Sequence, residues 1–274
     1  MKSSIVNLII GKESNLSRVL QQQGEFTLLS SREILSDINV LSAFKTNKIR
    51  VIFNNFQPST KLGDIASYSN YIQSAILVTS KVLDYFSKEQ IVKIIYTSSS
   101  SVYGDNSLCK ESDDVNIMSL HPALKFSNEK MIENYCTTYS IDYTIVRVFN
   151  MYGGEDKFSI ISKILDAYTH NKVLTIVNSG SAIRDFIHID NVVEVYMKLL
   201  AQRDIPLLNI GSGKGTSVEK ILSFLKLQGI EIRTNNITRS EIKLSTADVY
   251  LLKSLVDVDS FIEVESYLTE ELNL

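Results

Sequence analysis

Short runs rich in β-branched residues recur along the first half of the chain, and stretches of helical spacing separate them. The runs are "SIVNLII" (4–10), "EFTLLS" (25–30), "IRVIFNN" (49–55), "IVKIIYTS" (91–98) and "DYTIVRVFN" (142–150). Between them "SNLSRVLQQQG" (14–24), "YIQSAILVTSKVLDYFSK" (71–88) and a segment from Pro122 to residue 139 place apolar residues at helical intervals. Strands that are apolar throughout, rather than alternating, predict a parallel sheet covered on both faces. The fold class is α/β, a doubly wound parallel sheet, with ligands expected at the carboxyl ends of its strands.

After residue 150 the texture changes. A helix (158–170), a strand "VLTIV" (173–177), a helix (190–202) and a strand near "LLNIG" (207–211) lead to a final helix–strand–helix region. This predicts a smaller α/β lobe over 151–274, with one or two elements returning to the main sheet formed by 1–150. No Pro/Gly/Ser linker separates the two parts, so a single compact body with a groove between lobes is expected.

Composition narrows the function. With 274 residues, 44% hydrophobic and 22% charged, the chain reads as a soluble globular protein with room for a large core. A net charge of −3 offers no attraction to nucleic acid or a membrane surface. No apolar run approaches a membrane span, and the apolar stretch in "MKSSIVNLIIGKES" is too short for a signal peptide. Cys109 and Cys136 lack disulfide or metal spacing, which points to a reducing cytosol and no dedicated metal site.

The first strand-to-helix turn reads "GKESNLS". A dinucleotide pyrophosphate would sit there on exposed N–H groups, usually over glycines that let the backbone approach closely. Here Gly11 is followed by Ser14 and Ser17 at the glycine spacings. Serine is the smallest substitute, and its hydroxyl can donate to a phosphate. Both a cofactor site and a plain β–turn–α connection fit these residues. At the end of the second strand, Ser30, Ser31 and Arg32 suit a ribose 2′-phosphate and lean towards NADP over NAD; a solvated loop arginine is the other reading.

"SLHPALKFSNEKMIENY" (119–135) reads as an amphipathic helix with Leu124, Phe126, Met131 and Tyr135 on its apolar side. His121 and Lys125 lie one turn apart on one face.

"SGSAIRDFIHIDNVVEVYMKLL" (179–200) and "LLNIGSGKGTSVEKIL" (207–222) resemble the signature segments of the extended short-chain dehydrogenase/reductases, the nucleotide-sugar epimerases, dehydratases and ketoreductases. "YTSSSSVYGD" (96–105) is similar to that family's strand with a catalytic Ser or Thr, and "RVFNMYG" (147–153) to its strand leading into the substrate lobe. The resemblance implies a Rossmann-like dinucleotide-binding domain over 1–150 and a substrate-binding lobe over 151–274. It implies that Ser99 hydrogen-bonds the sugar's reacting oxygen. The family's Tyr-x-x-x-Lys motif fits two registers, Phe126 with Lys130 or His121 with Lys125. The second also matches an acidic residue at Glu129 and is the one adopted; neither contains the tyrosine. Lys125 would hold the nicotinamide ribose, and His121, neutral near physiological pH, would accept or relay the proton.

By the same resemblance Asn150, Arg184 and Arg239 meet the sugar nucleotide's phosphates and Asp185 is structural; from the residues themselves His188 reads as packing in a core segment, and Gly211 to Gly213 as a turn after a strand. Phe56 and Gln57 replace small residues near the adenosine, and Ala75 stands where an asparagine is usual. The implied activity is NAD(P)-dependent chemistry on a nucleotide-linked deoxysugar in surface-polysaccharide biosynthesis, by 4-keto reduction or epimerisation, in the cytoplasm. The absence of an Asp-Glu pair in "SSSSVYG" argues against dehydration. The alternative is a catalytically impaired member that binds a nucleotide sugar or NAD(P) in a regulatory role. Such proteins often pair through two helices, here 71–88 and 122–139, as a four-helix homodimer seam.

Overall fold

The structure is a computed structural model that describes residues 5–55 and 68–274. Along the chain the strands are β1 (Ile5–Ile10), β2 (Thr27–Leu29), β3 (Lys48–Phe53), β4 (Ile91–Ser99), β5 (Asn106–Cys109), β6 (Asp142–Val148), β7 (Asn150–Tyr152), β8 (Leu174–Val177), β9 (Ile183–His188), β10 (Leu207–Ile210), β11 (Gly215–Ser217), β12 (Thr234–Ile237) and β13 (Leu244–Ala247). The α-helices are α1 (Asn15–Gln23), α2 (Ser31–Ser36), α3 (Tyr68–Ile72), α4 (Val78–Tyr85), α5 (Leu120–Tyr139), α6 (Ile160–Thr169), α7 (Ile189–Leu199), α8 (Val218–Leu227) and α9 (Val264–Glu271).

The chain forms two interleaved compact units. The first comprises 1–102, 117–147 and 196–208, and it carries the main sheet, in order β10-β6-β4-β3-β1-β2. β1 pairs in parallel with both β2 and β3, and Ile10 aligns with Phe53, which aligns with Tyr96 of β4. The carboxyl ends of β1, β2 and β3 are therefore level, and β4 runs three residues further, to Ser99. Leu8, Ile10, Val51, Phe53, Ile94 and Tyr96 fill one layer of the core, against Val78, Val82 and Ile132 of the helices. Chain order reverses between β1 and β3, since β2 lies on one side of β1 and β3 on the other. That topological switch point is where doubly wound sheets leave a crevice for ligands.

Three local features depart from the sequence expectation. The segment after β2, where a solvated loop is one reading for Arg32, is α2 followed by a 3-10 helix, Ile38–Phe44. A capping box starts it: Ser30 Oγ accepts from Glu33 N (3.1 Å), and Ser30 N donates to the Glu33 carboxylate (2.7 Å). The helix expected over 71–88 contains a π-helical turn, Gln73–Leu77, between α3 and α4. Buried side-chain amides meet its carbonyls: Asn55 Nδ2 donates to Ser74 O (2.7 Å) and Ala75 O (3.0 Å), and Asn128 Nδ2 to Ala75 O (3.0 Å). The strand expected over 142–150 ends at Val148, and Asn150 opens β7, which pairs with β9.

The buried stripe of α5 is Pro122, Lys125, Asn128, Glu129, Ile132 and Cys136; Leu124, Phe126, Met131 and Tyr135 flank it only half-buried. Polar residues occupy the stripe because each finds a partner inside. Arg147 of β6 grips Glu129 with Nε to Oε1 (3.2 Å) and Nη2 to Oε2 (2.7 Å), and Ser98 of β4 donates to the same carboxylate.

The second unit comprises 103–116, 148–195 and 209–274. Its sheet runs β11-β9-β13-β5, with β7 also on β9, and a β8–β12 pair stands apart. Tyr152, Ile161, Ile164, Leu174, Ile221, Leu225 and Leu268 form its core. Asp185, fully buried, accepts from Ser212 N and Ser212 Oγ (both 2.7 Å), Gly213 N (2.9 Å) and Ala247 N (3.1 Å). One carboxylate thus closes the 211–213 turn onto β13, the structural role expected of it.

Removing one partner of a buried ion pair leaves an uncompensated charge. Arg147→Leu should cost about 3–5 kcal/mol of stability at neutral pH in urea unfolding. The double variant with Glu129→Leu should recover much of that loss.

Candidate active site

The β1–α1 turn begins at Gly11, whose φ of +122° and absent Cβ are both required, because a side chain there would overlap the Asn54 carbonyl. Gly11 N donates to Leu29 O (2.8 Å). Ser14 is the N-cap of α1, yet its side chain caps no backbone N–H. Instead Asn54, just past β3, donates from Nδ2 to Ser14 Oγ (2.8 Å) and to Ser17 Oγ (2.9 Å). Ser17 is fully buried and Ser14 half-buried. The turn therefore fits a dinucleotide in two respects. It sits at the switch point, and the side chain of the N-cap residue Ser14 is not drawn onto the first turn of α1, where an anion is favoured.

Arg32 lies exposed in the first turn of α2. Ser30, its expected companion, is used by the capping box, which also holds the Glu33 carboxyl below its usual range. Glu33 is a carboxylate at this strand end, and it approaches Lys12 at 4.0 Å. Phe56 and Gln57 lie outside the described residues, and Ala75 is buried in the π-helical turn.

Ser99, Lys125 and His121 gather where β4 ends against the start of α5. Ser99 is half-buried, and its Oγ accepts from Ser101 N (3.2 Å) and Ser101 Oγ (2.9 Å). Lys125 is 6% exposed; its Nζ donates to Thr97 O (2.6 Å) and stands 5.5 Å from the centre of the Tyr96 ring. Burial pulls its pKa down to about 7, against a smaller upward pull from Glu129. Burial, and then Lys125, pushes His121 down to about 4, so its imidazole is neutral across physiological pH. The ring stands edge-on to Tyr71 at 6.4 Å. Lys130, the rival lysine, is exposed and paired with Glu133 at 2.7 Å, so burial agrees with the register that adopts Lys125.

In the second unit, Asn150 Nδ2 donates to Asp185 O (3.0 Å). Arg184 is not a free guanidinium. It donates to Ile183 O (2.9 Å) and to Ile242 O, and pairs with Glu241 at 3.3 Å. Asn178 Nδ2 holds the other oxygen of Glu241 at 2.9 Å. Arg239 is exposed, and its backbone N–H donates to Asn178 Oδ1 (3.3 Å). His188 is buried beside Tyr152 and Tyr267, as expected of a packing residue.

The residues that sequence reasoning missed are Asn54, Glu241 and Glu33. Only Glu33 left a local trace, the Ser-x-x-Glu spacing from Ser30. The other two act across 37 to 63 positions of sequence separation.

The titrations have a definite sign. Lys125 falls from 10.5 unfolded to about 7 folded, so between those values the unfolded chain binds the extra proton and stability rises with pH. Lys125→Met should raise the melting temperature over the parent near about pH 6, and most of that gain should vanish by about pH 10. His121, lowered from 6.5 to about 4, should make the fold lose stability as pH falls through that window. His121→Gln should flatten this acid limb.

Comparison with known proteins accords with this geometry. The chain is 30% identical over 158 residues to a putative UDP-glucose 4-epimerase of Methanocaldococcus jannaschii, covering 55% of this chain and 52% of that one. It thus spans about half the length of that curated relative. It is 27% identical over 255 residues to a UDP-glucuronate 4-epimerase of Thermodesulfobacterium geofontis, covering 86% and 77% of the two chains. The fold matches a Bacillus cereus UDP-glucuronic acid 4-epimerase, solved with UDP-glucuronic acid and NAD, with a TM-score of 0.82 at 19% identity over 98% of each chain. The model of the NAD dependent epimerase/dehydratase family matches residues 12–211, and the chain belongs to that family.

Proposed function

We propose that the chain is an NAD(P)-dependent enzyme acting at C4 of a nucleotide-linked sugar, by 4-keto reduction or epimerisation, with surface-polysaccharide synthesis as its setting. The observation that carries this reading is Lys125. A lysine rarely accepts near-complete burial unless a fixed task holds it there, and this one is held beside the strand end that presents Ser99. A bound dinucleotide would supply the hydride donor and acceptor. Ser99 hydrogen-bonds the sugar O4, neutral His121 takes or relays the O4 proton, and Lys125 donates to the nicotinamide ribose. Gly11 and the first turn of α1 receive the pyrophosphate. Asn150, Arg184 and Arg239 meet the nucleotide diphosphate, with Arg184 shared between the phosphates and Glu241.

For the choice of coenzyme, Arg32 remains to meet a 2′-phosphate, because Ser30 is committed to the cap and Ser31 Oγ donates to Ser74 O (3.2 Å). Glu33 gives one carboxylate oxygen to the same cap and keeps the other, and a carboxylate at this strand end favours a free 2′-hydroxyl, so NAD is the better match. NAD is also the coenzyme bound in the Bacillus cereus structure.

A thermal-shift panel of NADH, NADPH and UDP-, dTDP-, CDP- and GDP-sugars tests the reading, since a ligand of the native state raises the melting temperature. We expect NADH and one sugar nucleotide each to stabilise the chain. In turnover on that sugar, Ser99→Ala should lower the rate by about a hundredfold or more. Stabilisation by sugar nucleotides alone would select a binding protein instead.

The chain also carries the surface for a homodimer through helices 71–88 and 122–139. Ile72 (41% exposed), Leu77 (39%) and Tyr139 (44%) stand on these helices and would be covered by such a seam. Sedimentation at micromolar concentration should find a dimer and Leu77→Glu a monomer; a monomeric parent refutes the seam.

A further inference from the structure

We infer that Asn54 is a positioning residue for the coenzyme: its side-chain amide orients the serine hydroxyls of the first turn so that Ser14 donates to a pyrophosphate oxygen. The inference rests on the reading above that the β1–α1 turn receives the dinucleotide. Asn54 stands directly across the switch point, where its backbone N–H donates to Ile10 O at 2.8 Å and anchors it beside Gly11. Its Nδ2 has two hydrogens, and both are used, on Ser14 Oγ and Ser17 Oγ.

A hydroxyl that accepts in this way keeps its own hydrogen for donation. Among the described residues neither serine donates to an acceptor. Ser17 is fully enclosed and serves as the fixed end of the arrangement. Ser14 is half-exposed at the mouth of the turn and is not drawn onto the helix's own N–H groups. Two serines where glycines are usual thus form a polarised unit. The glycine solution offers only backbone N–H groups, and this one adds a side-chain O–H whose direction Asn54 sets. The donor–acceptor polarity is the whole device, and it can be inverted without changing shape.

Asn54→Asp is that inversion. A carboxylate accepts from both hydroxyls and turns their hydrogens away from the phosphate. Binding of NADH to the full chain, followed by coenzyme fluorescence, should weaken by about tenfold or more in Asn54→Asp, and by about fivefold to tenfold in Ser14→Ala. The double variant should bind no more weakly than Asn54→Asp alone, because Asn54 acts through Ser14. UDP binding should not change in any of them.

A purely structural role would lower the melting temperature without ligand and leave NADH affinity intact. Parental affinity in Asn54→Asp, or additive losses in the double variant, overturns the inference while the coenzyme reading stands. If Asn54→Asp does not fold, Ser14→Ala decides alone, and unchanged affinity there is equally fatal. A parent chain that binds no dinucleotide removes both the reading and the inference.

Discussion

The carboxylate of Glu129 is the joint on which the first unit's chemistry is mounted. Arg147 from β6 and Ser98 from β4 converge on it, so one buried charge ties α5 to two strands of the main sheet at once. Such a pair contributes modestly to net stability, because desolvation offsets much of the Coulombic gain. Its value is registry. With Glu129 fixed, the residue one turn earlier must lie over β4, which puts Lys125 on the Thr97 carbonyl and His121 beyond it. The i, i+4 ladder from His121 through Lys125 to Glu129 is thus a set of depths below the surface. The deepest residue is neutralised by arginine, the middle one is desolvated, and the shallowest is kept neutral by its own burial and by Lys125.

Much of this was legible in the sequence, for reasons that differ by element. β1, β3 and β4 announced themselves because strands buried on both faces are apolar at most positions, with Asn7, Arg50 and Lys93 as the interior exceptions. The choice of Lys125 over Lys130 followed from the family pattern that the segment resembles, with its acidic residue at Glu129; Lys125 is the buried one of the two and Lys130 the exposed one. α2 was hidden because a six-residue helix has no room for a hydrophobic period, although its Ser30–Glu33 cap was written plainly. The π-helical turn was invisible, since propensity carries no signal for one extra residue in a turn. The apolar side assigned to α5 was misjudged because its buried stripe holds a lysine, an asparagine and a glutamate. Hydropathy places such residues outside, and only partners distant in sequence bring them in.

The two candidate binding regions show the same logic with opposite outcomes. In the first turn, residues that look like losses, serines in place of glycines, are recruited by an asparagine into an ordered network. In the second unit Arg184, which looks like a plain ligand-binding cation, is already engaged by Glu241 and by carbonyl groups. A motif read in isolation overstates what is free and understates what is organised. Which of the two applies depends on long-range contacts that a local pattern does not contain.

The π-helical turn at Gln73–Leu77 makes the length of its helix a discrete variable. It accommodates one residue more than an α-helix would, and each α-helical residue turns the chain by about 100°. Deleting a single residue there would swing the Tyr68–Ile72 segment around its axis by roughly that angle, carrying Tyr71 out of the interior and leaving the amides of Asn55 and Asn128 with Thr79 Oγ1 as their remaining partner. Substitutions in that turn are graded changes, whereas a change in its residue count is a switch between two distinct surfaces.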